Sequence, residues 1–103
     1  MSKRLAYLEK VTSEGSKDSF AWYALANEYS NLGRPDDALR TFEALRAMDP
    51  AYVPQYLICG QMLVNAKRPE EARAWLTQGI ETATRTGNTH ALSELQSVLA
   101  TLE

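Results

Sequence analysis

Apolar residues recur along this chain at spacings of three and four, and short polar stretches break the recurrence. Leu5, Leu8 and Val11 mark one face of a first helix over residues 3–14. The stretch from Glu14 to Ser19 is polar, with Gly15 as a helix stop and Asp18 or Ser19 as the next N-cap. Ser19–Leu32 carries two stripes: Trp22, Leu25, Ala26 and Tyr29 on one, Phe20, Tyr23, Asn27 and Ser30 or Asn31 on the other. Pro35–Met48 sets Ala38, Phe42 and Leu45 on one face and ends before Pro50, because proline disfavours helical geometry in the residue it follows. Further helices follow over about 53–67 and 69–86, the later one closing at Gly87. Leu92, Leu95, Leu99 and Leu102 outline a last amphipathic helix.

The helices are not independent. Asn31–Ala38 (NLGRPDDA) returns as Asn65–Ala72 (NAKRPEEA), 34 residues later. In both copies a helix ends near Gly33 or Lys67, an arginine bridges, and Pro35 or Pro69 opens the next helix. Proline suits a first helical position, and the acids behind it (Asp36, Asp37; Glu70, Glu71) complement the positive helix end. One helix-turn-helix design is used twice. Small residues at Ala26 and Ala38, and at Gly60 and Ala72, let paired backbones approach. Glycine inside a helix costs about 1 kcal/mol against alanine, so Gly60 points to close packing as its compensation.

Trp22, Leu25, Ala26, Tyr29, Gly33, Ala38, Phe42 and Pro50 resemble the tetratricopeptide repeat, whose pattern is Trp-x2-Leu-Gly-x2-Tyr, Ala-x3-Phe and a closing Pro. Only Ala26 departs from it. The second copy is degenerate: Tyr56, Cys59, Gly60, Leu63, Ala72 and Leu76, with Thr84 at the place of the closing proline. The resemblance implies an all-α fold of antiparallel helix-turn-helix repeats, stacked as a short right-handed α-solenoid of about six helices. The domain expected is a single one over 1–103: an N-terminal helix at 3–14, repeats at 19–52 and 53–86, and a capping helix at 88–102. The two end helices supply the cover that two repeats alone would lack.

Composition narrows the function. A formal charge of −2 exerts no pull on nucleic acid or an acidic membrane surface. One cysteine makes no internal disulfide, no run of eighteen apolar residues occurs, and Met1–Arg4 does not read as a secretory leader. The expectation is a cytoplasmic protein with neither nucleic-acid nor membrane partners. Catalytic chemistry is thinly supplied. His90 and Cys59 are the sole residues of their kinds, and Cys59 takes the core slot that holds Leu25 in the first copy. There is no ligand cluster for a metal, no phosphate loop and no nucleophile elbow. The chain is expected to be no enzyme and to need no cofactor. Arg34 and Arg68 read as charges that keep a turn solvated. Trp22 and Tyr56 read as core; Trp75, whose counterpart is Thr41, either packs under the final helix or marks a contact surface.

In the family resembled, the first helix of each hairpin lines a concave groove where peptides or partner helices dock. Carried over, that groove holds Phe20, Tyr23, Asn27 and Asn31 from the first copy and Leu57, Gln61 and Asn65 from the second. The competing reading has Asn31 and Asn65 assisting helix termination and Phe20 packing on the N-terminal helix. The co-chaperone branch grips a terminal carboxylate with Lys and Asn side chains. Here Asn27 fits one clamp place, but Tyr23 and Ile58 stand where the others are needed. A carboxylate buried without cations would be penalised by several kcal/mol, about the cost of an unpaired buried charge. The function expected is a non-enzymatic adaptor for a protein or peptide partner. The alternative is a self-associating module whose leucine seam, widened by Ala91 and Val98, joins two copies as a homodimer.

Overall fold

The computed structural model describes residues 3–102; residues 1, 2 and 103, the ends of the expected domain, lie outside it. All regular structure among the described residues is helical: α1 (Lys3–Ser13), α2 (Ser19–Asn31), α3 (Pro35–Met48), α4 (Pro54–Asn65), α5 (Pro69–Thr86) and α6 (Thr89–Ala100). No described helix is long and apolar enough to cross a membrane. The chain divides into two compact units, Met1–Pro50 and Ala51–Glu103.

In the first unit α2 and α3 form a hairpin and α1 lies on α2. Leu5 and Leu8 of α1 pack with Ala24, Leu25 and Tyr29 of α2. Ala26, Ala38, Phe42 and Leu45 are wholly buried. Such burial contributes about 1.5–3 kcal/mol for each large apolar side chain. Val11, expected on the buried face of α1, is only half-buried; Thr12 is buried in that turn, its hydroxyl donating to the Leu8 carbonyl at 2.8 Å. Asp18 caps α2 by accepting from the Phe20 N–H at 3.0 Å. The Ser19 hydroxyl donates to Asp49 Oδ2 at 2.6 Å, tying the start of α2 to the end of α3.

Tyr29 joins three elements of this unit. Its hydroxyl donates to Glu9 Oε2 on α1 at 2.5 Å, and the Arg34 guanidinium lies 4.7 Å above its ring. Burial, then the hydrogen bond to Glu9 and the charge of that carboxylate, push the phenol up to about 12 from its ordinary 10.0. The folded chain therefore holds this proton to higher pH than the unfolded chain. Between about pH 10 and pH 12 it binds more protons than the unfolded chain, so stability falls as pH rises through that window and is complete below it. Tyr29→Phe is expected to lose about 1 kcal/mol at neutral pH, the usual worth of such a hydrogen bond. Its deficit against the native chain should shrink at about pH 11, a comparison of urea titrations that isolates this group from the others titrating there. A constant deficit would remove Tyr29 from the pH response.

The second unit repeats the hairpin in α4 and α5, and α6 packs on both. Tyr56, Cys59, Gly60 and Leu63 of α4 are buried, as are Ala72, Trp75, Leu76, Gly79 and Ala83 of α5, the helix it pairs with. A Cβ built on Gly60 would stand 2.4 Å from Leu76 Cδ2, so the glycine does permit close packing. Trp75 is 5% exposed and meets Tyr56 in a tilted ring pair, centroids 5.9 Å apart. Leu95 of α6 is wholly buried, while Leu92, Leu99 and Leu102 are half-buried. Gly87 ends α5 in the left-handed conformation, and Asn88 caps α6 through the Ala91 N–H.

One expectation is corrected in the first unit. Trp22 is half-buried, not core, and its indole N–H donates to the Ser16 carbonyl at 2.8 Å. Its repeat counterpart, Tyr56, is covered by the large ring of Trp75. The matching place on α3 holds Thr41, too short to cover an indole, so the ring settles its polar edge on the α1–α2 loop.

Candidate functional site

The turns that position the first helices are built alike. Arg34 Nε donates to Asp37 Oδ2 at 2.8 Å, and Arg68 Nε and Nη2 donate to the two oxygens of Glu71 at 2.7 and 3.1 Å. Each arginine is the residue before the helix, paired with the acid three positions on. The recurrence of Arg34 and Arg68 thus has a structural cause beyond solvation: an ion pair to the acid three residues on sets the turn. These pairs are exposed and screened by water, so they orient the turn and add little to stability. Arg40 also reaches Asp37. Gly33 precedes Arg34 at φ 73, and Lys67 takes the equivalent place at φ 60. A side chain there costs about 1–2 kcal/mol, so the second copy carries strain that the first avoids.

α2 ends on main-chain bonds: Leu32 N–H to Glu28 O at 3.0 Å, Gly33 N–H to Ser30 O at 3.1 Å, and Arg34 N–H to Tyr29 O at 2.9 Å. α4 ends the same way, with Arg68 N–H on Leu63 O at 2.9 Å. Helix termination therefore needs neither the Asn31 nor the Asn65 side chain.

On α2, Phe20, Tyr23, Asn27 and Asn31 fall at helical spacing on one face. Phe20 is 59% exposed and so is not packed away on α1; Tyr23 and Asn27 are half-buried, and Asn31 is exposed. The Phe20 and Tyr23 rings meet in a tilted pair, centroids 6.2 Å apart, and burial raises the Tyr23 phenol above its ordinary range. On α4, Leu57 is half-buried, and Gln61 and Asn65 are exposed at successive four-residue steps. The two sets belong to separate compact units.

Leu57 also has neighbours outside its stripe. Val53, Pro54 and Leu57 from the start of α4, with Asn88, His90, Ala91 and Glu94 from the start of α6, line a half-open cavity of about 200 Å³. His90 Nε2 lies 3.1 Å from Glu94 Oε1 at its rim. Only the folded course of the α5–α6 turn brings these residues together, and no local motif announces it. Cys59 is wholly buried, a small apolar filler and not an accessible thiol. Among the described residues no three His, Cys, Asp or Glu side chains stand together as a metal would require.

Comparison with known proteins places these features in a wider set. The family pattern described as tetratricopeptide repeat matches residues 32–95. The chain is similar to a tetratricopeptide repeat domain protein from Salinibacter ruber. Its crystal structure shows 36% identity, covers 82% of this chain and 96% of that one, and superposes with a TM-score of 0.74. The solution structure of such a domain protein from the same organism gives 37% identity over 84% of this chain and 87% of that one, with a TM-score of 0.77. A protein of Bordetella parapertussis shares the fold at 24% identity, covering 99% of this chain and 89% of that one, with a TM-score of 0.84. No curated protein matches the chain.

Proposed function

This chain belongs to the tetratricopeptide-repeat family, an all-α helical-repeat fold that is generally a non-catalytic module for protein–protein interaction, and from that premise we propose a non-enzymatic adaptor. It takes a peptide or a helix of another protein on the outward stripes of its first helices. Phe20, Tyr23, Asn27 and Asn31 form the contact surface of α2, and Leu57, Gln61 and Asn65 that of α4. Rings on a rigid helix offer contact area at low entropy cost, and the amides can pair with a peptide backbone. The observation that carries this reading is Phe20, a large ring 59% exposed against Tyr23 where burial on α1 was the alternative. A stripe without lysine, arginine or carboxylate favours uncharged, backbone-directed recognition over a carboxylate clamp. The adaptor works in the cytoplasm, where its single buried thiol stays reduced.

The test begins with a partner identified by affinity capture from the native host. Replacing Tyr23, Asn27 and Gln61 together with alanine, at unchanged helicity by circular dichroism, is expected to weaken that partner roughly tenfold or more, as loss of a few ordinary interface contacts does. Unchanged affinity would end the assignment of these stripes.

A further inference from the structure

If α4 presents a partner-contacting stripe, as proposed above, its first turn does so together with α6. We infer that the cavity between Val53, Pro54, Leu57, Ala91 and Glu94 is an anchor site for one aromatic side chain of a partner peptide, with a lysine or arginine next to it in that peptide. Three observations support the assignment. The cavity holds about 200 Å³. Pockets for cofactors and metabolites run from roughly 300 to 1,000 Å³, whereas a cavity of about 150 Å³ already accepts a benzene ring. One ring fits; a nucleotide does not. The walls are chiefly apolar, from Val53, Pro54, Leu57 and Ala91, and suit a side chain with no charge of its own.

The rim sets the neighbour. Glu94 is the one formally charged lining residue with histidine neutral, and no lysine or arginine lines the cavity. Its side chain is 48% exposed, within reach of an incoming cation, and His90, 88% exposed beside it, leaves that approach open. A cation beside the anchoring ring gains a partner there, and an anion would be repelled. α6 is thus a wall of the contact surface as well as a cover for α5.

The probes are capped tetrapeptides, Ala-Phe-Lys-Ala, Ala-Phe-Glu-Ala and Ala-Ser-Lys-Ala, titrated into the full chain labelled with nitrogen-15. The Phe-Lys peptide is expected to shift the amide signals of Leu57, Ala91 and Glu94 saturably. It should bind roughly two- to fivefold tighter than the Phe-Glu peptide, the range an exposed charge pair gives. The Ser-Lys peptide should leave those signals in place. Glu94→Gln, a surface change, is expected to erase the preference for lysine while keeping the ring's binding. Ala91→Leu should fill the cavity and abolish both. Equal binding of the two Phe peptides, shifts confined to other residues, or no saturable shift would each overturn the assignment. So would the same shifts appearing with chain concentration alone, which would give the cavity to a second copy. The two readings fail separately: if Ala91→Leu leaves the captured partner's affinity intact while the Tyr23, Asn27 and Gln61 variant weakens it, the anchor site falls and the stripes stand.

Discussion

Tyr56→Ala is expected to lower the stability of the chain by about 3–5 kcal/mol, the cost of emptying a large aromatic site from a packed core. Tyr56 is wholly buried, in a tilted ring contact with Trp75 at 5.9 Å between centroids, and its Cβ abuts Gly79 on α5. The two aromatics bridge the α4–α5 hairpin, so removing one strands the other beside a void. Collapse is limited because Trp75 is a buried part of the α5 helix, and atoms lining a void forfeit their dispersion attraction on that side. A loss of that size is a large part of the roughly 5–15 kcal/mol that keeps a domain folded, and should lower the melting temperature by on the order of 15 °C or more. Tyr56→Phe keeps the ring and should retain most of the difference. Urea unfolding of the three chains, followed by circular dichroism, measures it. A deficit below about 1 kcal/mol for the alanine variant would mean that the ring does not fill this core.

The comparison with Trp22 shows what the pattern of residues can and cannot convey. Helix existence and order are legible because each has a local cause: the prolines at 35, 54 and 69 open helices, Asp18 and Asn88 cap them, and the shared turn is written twice. Which side of a helix turns inward is legible from spacing. What covers that side is not. Tyr56 and Trp22 hold the same place in the repeat, yet one is covered by Trp75 and the other, in the copy that has Thr41 in place of that tryptophan, stays half-buried. Phe20 is the reverse case: an aromatic in the first turn of α2 that nothing in the described structure buries. The α4–α6 cavity is beyond reach for a different reason. It is made by residues more than thirty positions apart, and its rim pair, His90 with Glu94, looks on the sequence like any exposed pair four apart on a helix. The arginine pairs show the limit at short range. Their recurrence is visible, and its cause needs the geometry that sets each guanidinium on the acid three positions along.

Gly79→Ala should be the more damaging of the two helix-glycine substitutions in α4 and α5, and the reason is which atoms stand in the way. A Cβ at Gly79 would lie 2.5 Å from Tyr56 Cβ, 3.2 Å from Tyr56 Cγ and 2.9 Å from Leu95 Cδ2. Tyr56 Cβ is fixed to the α4 backbone, so relief requires moving a helix, and Leu95 ties the same spot to α6. At Gly60 the obstacle is the end of one side chain, Leu76 Cδ2 at 2.4 Å and Cγ at 2.7 Å, which can rotate or tilt. Alanine returns about 1 kcal/mol of helix propensity at either site, against about 1–3 kcal/mol or more for overpacking. At Gly79, where atoms fixed to a backbone stand in the way, the overpacking cost takes the upper end of that range and the net loss is about 2 kcal/mol; at Gly60 the two effects come nearer to cancelling. The first copy sharpens the point, because Leu45 occupies the place equivalent to Gly79 and is itself wholly buried. There a side chain fills the space; in the second unit α6 and Tyr56 fill it from either side, and only glycine leaves room for both. Denaturant unfolding of the two variants decides between these causes. A stabilised Gly79→Ala, or a Gly60→Ala that loses more, would show that the helices do not approach as closely as the contacts at Gly79 require.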